Sequence, residues 1–115
     1  MAAEESAILN KIRLAASRCG VVLLKNVRGN FRTMDGKRIV AAGLSAKGSS
    51  DLIGWRTVTI TPDMVGTEIA QFVAIEVKTA TGRCSAEQEH FLANVRKSGG
   101  IGEVMRSEVE WERIL

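Results

Sequence analysis

Several residue types that build common catalytic and metal sites are scarce in this chain of 115 residues. His90 is the one histidine, so a histidine-built zinc site or a serine–histidine triad has little to work with. The two cysteines, Cys19 and Cys84, lie far apart and in no metal-ligand spacing, so we expect two reduced thiols. Aromatic residues make up 4% of the chain, which argues against a surface that stacks nucleic-acid bases.

Signals for membrane insertion and export are also lacking. No apolar run approaches the roughly 18 residues of a membrane span. The N-terminal stretch MAAEESAIL is acidic and has no basic region before an apolar one, so it does not read as a secretory signal. We therefore expect a cytoplasmic protein with no membrane partner.

The composition is that of an ordinary globular domain, with 45% apolar and 25% charged residues and a net charge of +3. A mild basic excess is compatible with a polyanionic partner and does not require one. Residue periodicity predicts helices, strands and connections in alternation. They are a helix over 4–18, strands over 21–25 and 51–55, a turn or mobile loop over 26–37, strand or loop over 38–44, a helix or turn from Thr61, a strand over 68–79, a helix that starts at 85–88 and runs to about Lys97, a strand over 101–106 and a short C-terminal helix. This order predicts one mixed α/β domain over residues 1–115, with a sheet flanked by helices.

The strand predicted over 68–79 carries a charged pair inside an apolar run. Strand alternation places Glu76 and Lys78 on one side, about 6 to 7 Å apart along the strand. An unpaired ion in a dry interior is costly, so the two charges need each other, water or a ligand. A half-exposed strand with a surface ion pair is the simplest interpretation.

Another acid, Asp51, follows a loop of small residues and precedes a short apolar strand. Two carboxylates at adjacent strand ends can hold a hard divalent cation through their oxygens. Such a cation lowers the pKa of a bound water, and a neighbouring lysine can orient that water or neutralise developing charge. Asp51, Glu76 and Lys78 together therefore indicate a metal-assisted hydrolytic site in a solvated cleft.

These residues spell D-x24-E-x-K, which resembles the PD-(D/E)xK nuclease superfamily with Ser50 in place of the usual proline. More narrowly, the segments GSSDLIG, FVAIEVKT, GRCSAEQ and GGIGEVMRS resemble the VRR-NUC (virus-type replication–repair nuclease) domain. The resemblance runs from the first helix to about Ser107. It implies a restriction-endonuclease-like mixed sheet flanked by helices, and a metal-dependent endodeoxyribonuclease, located in the host-cell cytoplasm if the source is viral.

The resemblance also implies roles for individual residues. Asp51 and Glu76 match the metal-binding acids, and the carbonyl of Val77 would be a further ligand for Mg²⁺ or Mn²⁺. Lys78 matches the catalytic lysine. The replacement of proline by Ser50 matters little to the metal chemistry, because the proline supplies backbone shape and no ligand.

Two helical residues are assigned with alternatives. Gln88 matches the glutamine that supports the active centre; the other interpretation is a capping box with Ser85, and we expect both roles only if the side chain can swing. A glutamate of the first helix also belongs to the family's site. Glu5 is our choice because it shares the inward face, Glu4 is the rival, and an ordinary acid in a first helical turn is the remaining alternative.

The expected partner is DNA. Phosphate contacts give affinity without reading sequence, which favours recognition of nucleic-acid shape. Stand-alone proteins that the chain resembles are homodimers that cut four-way (Holliday) junctions, so the resemblance implies branched DNA and a homodimer. Two alternatives stay open, a restriction-type or other endonuclease acting on linear duplex and a non-catalytic DNA-binding module of the same fold. The candidate phosphate contacts are Lys25, Arg28, Arg32, Lys37, Arg38, Lys47 and Arg83.

Overall fold

The computed structural model describes residues 3–27, 29–45 and 48–115. The chain forms two compact units, Met1–Arg56 and Thr57–Leu115, and each is described by itself. The described residues contain helices together with three two-stranded sheets, which is the mixed helix and strand content expected of an α/β protein. One continuous sheet in one domain stays a prediction.

The first unit opens with helix α1, Ala3–Arg18, in agreement with the predicted helix. Glu4 and Glu5 lie in its first turn, where acids interact favourably with the helix dipole. Gly20 has a φ of 73°, a left-handed conformation that suits glycine at the end of a helix. Strand β1, Val21–Lys25, follows directly.

The buried face of α1 is narrower than the helical spacing of Ile8, Leu9 and Ile12 would predict. Leu9 is buried, whereas Ile8 and Ile12 are each about half exposed. Helical periodicity marks which residues share a face, but it does not tell how much of that face is covered.

Residues 29–42 form an antiparallel hairpin. Strand β2, Gly29–Arg32, pairs with strand β3, Ile39–Ala42, and Phe31 lies opposite Val40. The prediction of a turn or mobile loop over 26–37 was therefore wrong for β2. Phe31 and its β-branched partner favour a pleated strand, and their contribution outweighs the turn-forming residues around them.

Strand β4, Leu52–Arg56, pairs antiparallel with β1 and brings Leu24 opposite Ile53. Gly54 permits this close pairing, because a Cβ at that position would lie 1.7 Å from the carbonyl oxygen of Val22. Asp51 stands immediately before β4, so the pairing of β4 with β1 fixes the position of the Asp51 backbone.

The second unit is a parallel β–α–β arrangement. Strands β5 and β6 pair in parallel register, and helix α2 connects them. The strand predicted over 68–79 is shorter in the structure, because β6 offers only five partner residues. The elements are a 3₁₀ turn at Pro62–Met64, β5 at Val73–Val77, α2 at Ala86–Lys97, β6 at Ile101–Met105, a second 3₁₀ turn at Glu108–Glu110 and α3 at Trp111–Ile114.

Helix α2 packs tightly on this sheet. Leu92 and Val95 are 4% and 1% exposed and form its inward face, while Phe91 is 38% exposed. A Cβ on Gly102 of β6 would lie 2.5 Å from the carbonyl oxygen of Leu92. The helix backbone therefore approaches the sheet at a distance that only glycine permits. None of the described helices is long and apolar enough to cross a membrane.

Candidate functional site

Glu76 and Lys78 form an ion pair at the end of β5. The Lys78 ammonium lies 3.5 Å from Oε1 of Glu76, and the two side chains are 21% and 31% exposed respectively. The backbone N–H of Lys78 donates a 3.1 Å hydrogen bond to the carbonyl of Met105, which extends the parallel pairing by one residue beyond β5. The strand pairing therefore fixes the backbone on which this ion pair stands.

Gln88 of α2 completes the predicted capping box and contacts Glu76 at the same time. Its side-chain oxygen accepts a 2.9 Å hydrogen bond from the N–H of Ser85, and its backbone N–H donates to the Ser85 hydroxyl oxygen, which completes the capping box. Its amide nitrogen donates a 3.0 Å hydrogen bond to Oε1 of Glu76. The expectation that the side chain must swing between the two roles was wrong, because an amide has an acceptor at one atom and donors at the other.

The same geometry explains how β5 tolerates a carboxylate among apolar residues. Lys78 supplies an opposite charge, Gln88 supplies a hydrogen bond, and the side chain of Glu76 keeps part of its surface in solvent. All three relieve the cost of removing a charge from water. Both contacts use Oε1, which leaves Oε2 of Glu76 as a donor atom for a further ligand.

Arg106 fixes the turn that follows Lys78. Its guanidinium donates hydrogen bonds to the carbonyls of Thr79 and Gly82, the latter at 2.7 Å. The backbone of Arg106 is held in turn by the carboxylate of Glu110, which accepts from the N–H groups of Arg106 and Ser107. The hydrogen bond from Arg106, followed by that from Ser107, lowers the pKa of Glu110. The contacts of Arg106 with the turn were not predicted from the sequence, where this arginine is only part of the segment GGIGEVMRS.

In the first unit, Asp51 and Glu5 line the same cleft. Its volume is about 490 Å³, and Lys25, Asn26 and Ser49 contribute to its wall. Both carboxylates are on exposed residues. The structure thus brings the predicted strand acid together with the predicted helix acid, and it places a cation of β1 beside them.

Asn26 organises the backbone around Asp51, and sequence reasoning missed it. Its N–H donates to the carbonyl of Asp51 at 2.9 Å, and its amide nitrogen donates to the hydroxyl of Ser49 and the carbonyl of Ser50. Its amide oxygen accepts a 2.9 Å hydrogen bond from the N–H of Leu44. The available signal was an asparagine at the end of a strand, where its side chain can satisfy loop backbone groups.

The predicted DNA-contacting residues are divided among several elements. In the first unit, Lys25 ends β1 beside the Asp51 cleft, while Arg32, Lys37 and Arg38 belong to the hairpin. Arg83 is exposed after the turn that Arg106 holds in the second unit. Arg28 and Lys47 lie outside the described residues.

The donor atoms suit a small hard cation. Carboxylate oxygens at Asp51, Glu5 and Glu76 are the ligands that Mg²⁺ and Mn²⁺ prefer, and Mg²⁺ needs only one or two carboxylates besides waters and phosphate oxygens. Within residues 3–27, 29–45 and 48–115, no three His, Cys, Asp or Glu side chains cluster as a ready-made metal site. The acids of each unit are thus of the chemical type that a hydrated Mg²⁺ or Mn²⁺ accepts as a ligand.

The end of β5 thus carries a carboxylate beside an ammonium, and the amide of Gln88 reaches that carboxylate from α2. The family model for the VRR-NUC domain matches residues 36–109, most of the chain, and the protein belongs to this family. Membership indicates a nuclease, and hence a hydrolase that acts on DNA. No curated protein and no solved structure matches the chain. The match begins after α1 and β1, so Glu5 and Lys25 lie outside it, whereas the resemblance seen in the sequence extended to the first helix.

Proposed function

We propose that the protein is a metal-dependent endonuclease that hydrolyses phosphodiester bonds in branched DNA, with four-way junctions as its substrate. The arrangement of Glu76, Lys78 and Gln88 in a chain of the VRR-NUC family carries this proposal. A protein that only binds DNA has no need for a strand carboxylate supported from a helix and paired with a lysine.

Each proposed ligand has a distinct source. Asp51, Glu76 and the carbonyl of Val77 would hold Mg²⁺ or Mn²⁺, and Glu5, which lines the same cleft as Asp51, would be a further acid. When bound, such a cation would lower the pKa of a water and offset charge on the scissile phosphate. Gln88 keeps the Glu76 carboxylate in one orientation, because its hydrogen bond to Oε1 limits rotation about the terminal torsion of the side chain.

Lys78 acts on the attacking water and on the phosphate. Its ammonium carries donors only, so it can hold the water oxygen or stabilise developing negative charge on a phosphate oxygen. Glu76, 3.5 Å away, keeps the flexible lysine side chain near the site before DNA binds. A held group does not have to be ordered again in the transition state, which is the usual benefit of preorganisation.

The distribution of charge supports recognition of DNA by its shape. The chain has a net charge of +3, and the predicted phosphate contacts are spread over the two units. Contacts to phosphates position DNA without reading bases, so selectivity would come from the shape of the substrate. A homodimer with two-fold symmetry would present two active centres to the two equivalent strands of a junction.

A panel of DNA shapes tests the proposal. Wild-type protein with Mg²⁺ or Mn²⁺ is expected to nick a four-way junction and to leave linear duplexes of mixed sequence intact. Discrete fragments from linear duplex, with the junction ignored, would instead establish a restriction-type endonuclease. Binding of the junction without cleavage in either metal would establish a non-catalytic module.

The chain offers a matched control for the proposed metal acid. Glu103 of β6 resembles Glu76 in exposure, 30% against 31%, and it also makes one ion pair, with Arg113 at 3.7 Å. We expect Glu76→Gln to abolish cleavage and the heat of Mn²⁺ binding, and Glu103→Gln to keep both. Asp51→Ala and Lys78→Ala are expected to abolish cleavage while the far-ultraviolet circular dichroism is unchanged. Equal cleavage by Glu76→Gln and wild-type protein would refute the proposed role.

A further inference from the structure

The turn of the β2–β3 hairpin is held by its own hydrogen bonds. The N–H of Thr33 donates to the carbonyl of Arg38 at 2.9 Å, and the N–H of Gly36 donates to the carbonyl of Thr33 at 2.8 Å. The carboxylate of Asp35 accepts from the Thr33 hydroxyl and, at 2.9 Å, from the N–H of Lys37. The conformational entropy of this turn is therefore lost during folding, and a partner does not have to order it again.

Met34 stands at the apex of this turn with its side chain at 107% relative exposure. The side chain is thus in full contact with water, although methionine is flexible, polarisable and suited to filling irregular apolar gaps. The neighbouring pair Phe31 and Val40, opposite each other across the strands, is also 44% and 47% exposed. The hairpin therefore exposes apolar side chains both at its apex and on its paired strands.

Cations surround this apolar apex. Arg32, Lys37 and Arg38 flank it, and the single acid of residues 29–42, Asp35, is occupied by hydrogen bonds inside the turn. The guanidinium of Arg32 also donates to the carbonyl of Gly36 at 3.2 Å, which holds its charge near the tip. An apolar side chain amid cations complements DNA, where bases lie between two rows of phosphates.

The root of the hairpin is connected to the proposed metal acid. Asn26 accepts from the N–H of Leu44, just beyond β3, and donates its own N–H to the carbonyl of Asp51. Asn26 thus links the backbone that follows the hairpin to the backbone of Asp51.

We infer that the β2–β3 hairpin is a DNA wedge, which inserts Met34 between bases at the branch point while Arg32, Lys37 and Arg38 contact the adjacent phosphates. The inference rests on the proposed function, because it takes branched DNA as the partner. Inserted apolar side chains unstack base steps at an energetic cost. That cost is lowest where bases are already unpaired or poorly stacked, so the centre of a junction is the favoured place for the wedge.

Fluorescence of 2-aminopurine placed at the centre of a four-way junction tests the wedge. The protein is used in a Glu76→Gln background, so that the DNA stays uncut. We expect the fluorescence to rise on binding, because insertion unstacks the probe. Met34→Ser is expected to remove the rise and to weaken junction binding about tenfold, which corresponds to about 1.4 kcal/mol. Met34→Leu, which keeps an apolar side chain, is expected to retain both.

Val65 provides a matched control, because it is 82% exposed beside another turn, in the second unit. Val65→Ser is expected to leave fluorescence and affinity unchanged. The wedge is refuted if Met34→Ser gives the same fluorescence rise and affinity as the parent protein. It is also refuted if Met34→Ser changes only the sedimentation mass, because the hairpin would then contact a second copy of the chain.

The two proposals fail in different assays. Failure of wild-type protein to cut any DNA shape with Mg²⁺ or Mn²⁺ would refute the endonuclease proposal. The fluorescence and affinity measurements use uncut DNA, so they decide on the wedge whether or not the wild-type protein cleaves.

Discussion

Gln88 allows the contribution of one hydrogen bond to catalysis to be separated from its contribution to stability. Its oxygen belongs to the capping box with Ser85, and its nitrogen belongs to the contact with Glu76. Gln88→Ala removes both contacts of the side chain. Ser85→Ala also breaks the capping box but leaves the contact with Glu76 available. Comparison of the two variants therefore isolates the hydrogen bond to the carboxylate.

The structure sets the expected magnitudes. Loss of the N-cap side chain in Ser85→Ala costs about 1 kcal/mol. Gln88→Ala removes the reciprocal hydrogen bond from the Ser85 N–H, which costs about 1 kcal/mol as well, so both variants should lose a similar amount of folding free energy. A hydrogen bond to a charged group contributes roughly 1.5–3 kcal/mol, and we take the lower end because the Glu76 side chain is 31% exposed and water can replace the amide. If this energy is used to orient Glu76 in the transition state, Gln88→Ala should slow cleavage about tenfold.

Two measurements on the same preparations test these values. Urea unfolding, followed by tryptophan fluorescence, gives the stability of each variant. Single-turnover cleavage of a labelled junction, at saturating protein and across a range of Mg²⁺ concentrations, gives the rate and its dependence on metal. Gln88→Glu is a third arm, because it can still accept from the Ser85 N–H but places a like charge against Glu76; we expect slower cleavage than in Gln88→Ala.

Equal rates for Ser85→Ala and Gln88→Ala, at equal stability, would show that the hydrogen bond to Glu76 has no catalytic role. A large stability loss in Gln88→Ala alone would show instead that the contact with Glu76 mainly supports the fold. A catalytic role for this hydrogen bond requires that Ser85→Ala and Gln88→Ala have similar stabilities and different cleavage rates.

Three further perturbations have defined outcomes. Gly102→Ala should lower the urea midpoint by the equivalent of about 1–3 kcal/mol, because its Cβ would meet the carbonyl of Leu92. The hydrogen bond from the Thr33 hydroxyl, and then that from the Lys37 N–H, lower the pKa of Asp35 from its ordinary value of 3.8. The carboxylate therefore stabilises the hairpin above pH 3.8, and this stabilisation is lost as the pH falls through the lowered pKa. Amide exchange of the hairpin should accelerate over the same pH range. Arg106→Ala should speed amide exchange in the turn after β5 and lower the cleavage rate, whereas Arg106→Lys should restore part of both.

Local patterns predicted the helices α1 and α2 and the strands β1, β4 and β6 well. Spacing of apolar residues located α1, and a serine three residues before a glutamine located the start of α2 with its capping box. Each of these features depends on residues within one or two turns of the chain. The pairing of β5 with β6 fixes the shorter length of β5, and the sequence of β5 does not contain this information.

The hairpin shows where the sequence reasoning failed. Glycine, asparagine and aspartate over 26–37 indicated a turn, and their number concealed the short strand β2. Asp35 and Gly36 do turn the chain, but Phe31 pairs with Val40 across the hairpin. A four-residue strand gives too few alternating positions for periodicity to be recognised.

The charged residues of the proposed site and Gln88 were named from the sequence alone, whereas Asn26 was missed. Glu76 and Lys78 attract attention because charge is unusual in an apolar run, and Asp51 does so because it precedes a strand. Asn26 has no such signal, since its partners Leu44 and Ser49 lie far along the chain. Long-range hydrogen bonds of this kind require the folded loop.

The use of amides at both acids has an electrostatic reason. Asn26 holds the backbone at Asp51, and Gln88 holds the carboxylate of Glu76. Each amide accepts a hydrogen bond from a backbone N–H through its oxygen and donates hydrogen bonds through its nitrogen. An arginine in place of Gln88 would hold the Glu76 carboxylate more strongly, but its formal charge would compete with a cation for the same oxygens. An amide positions the acid and leaves its negative charge available. Replacement of Gln88 by arginine should therefore reduce Mn²⁺ affinity measured by calorimetry more than replacement by alanine does, and the opposite order would contradict a metal-binding role for Glu76.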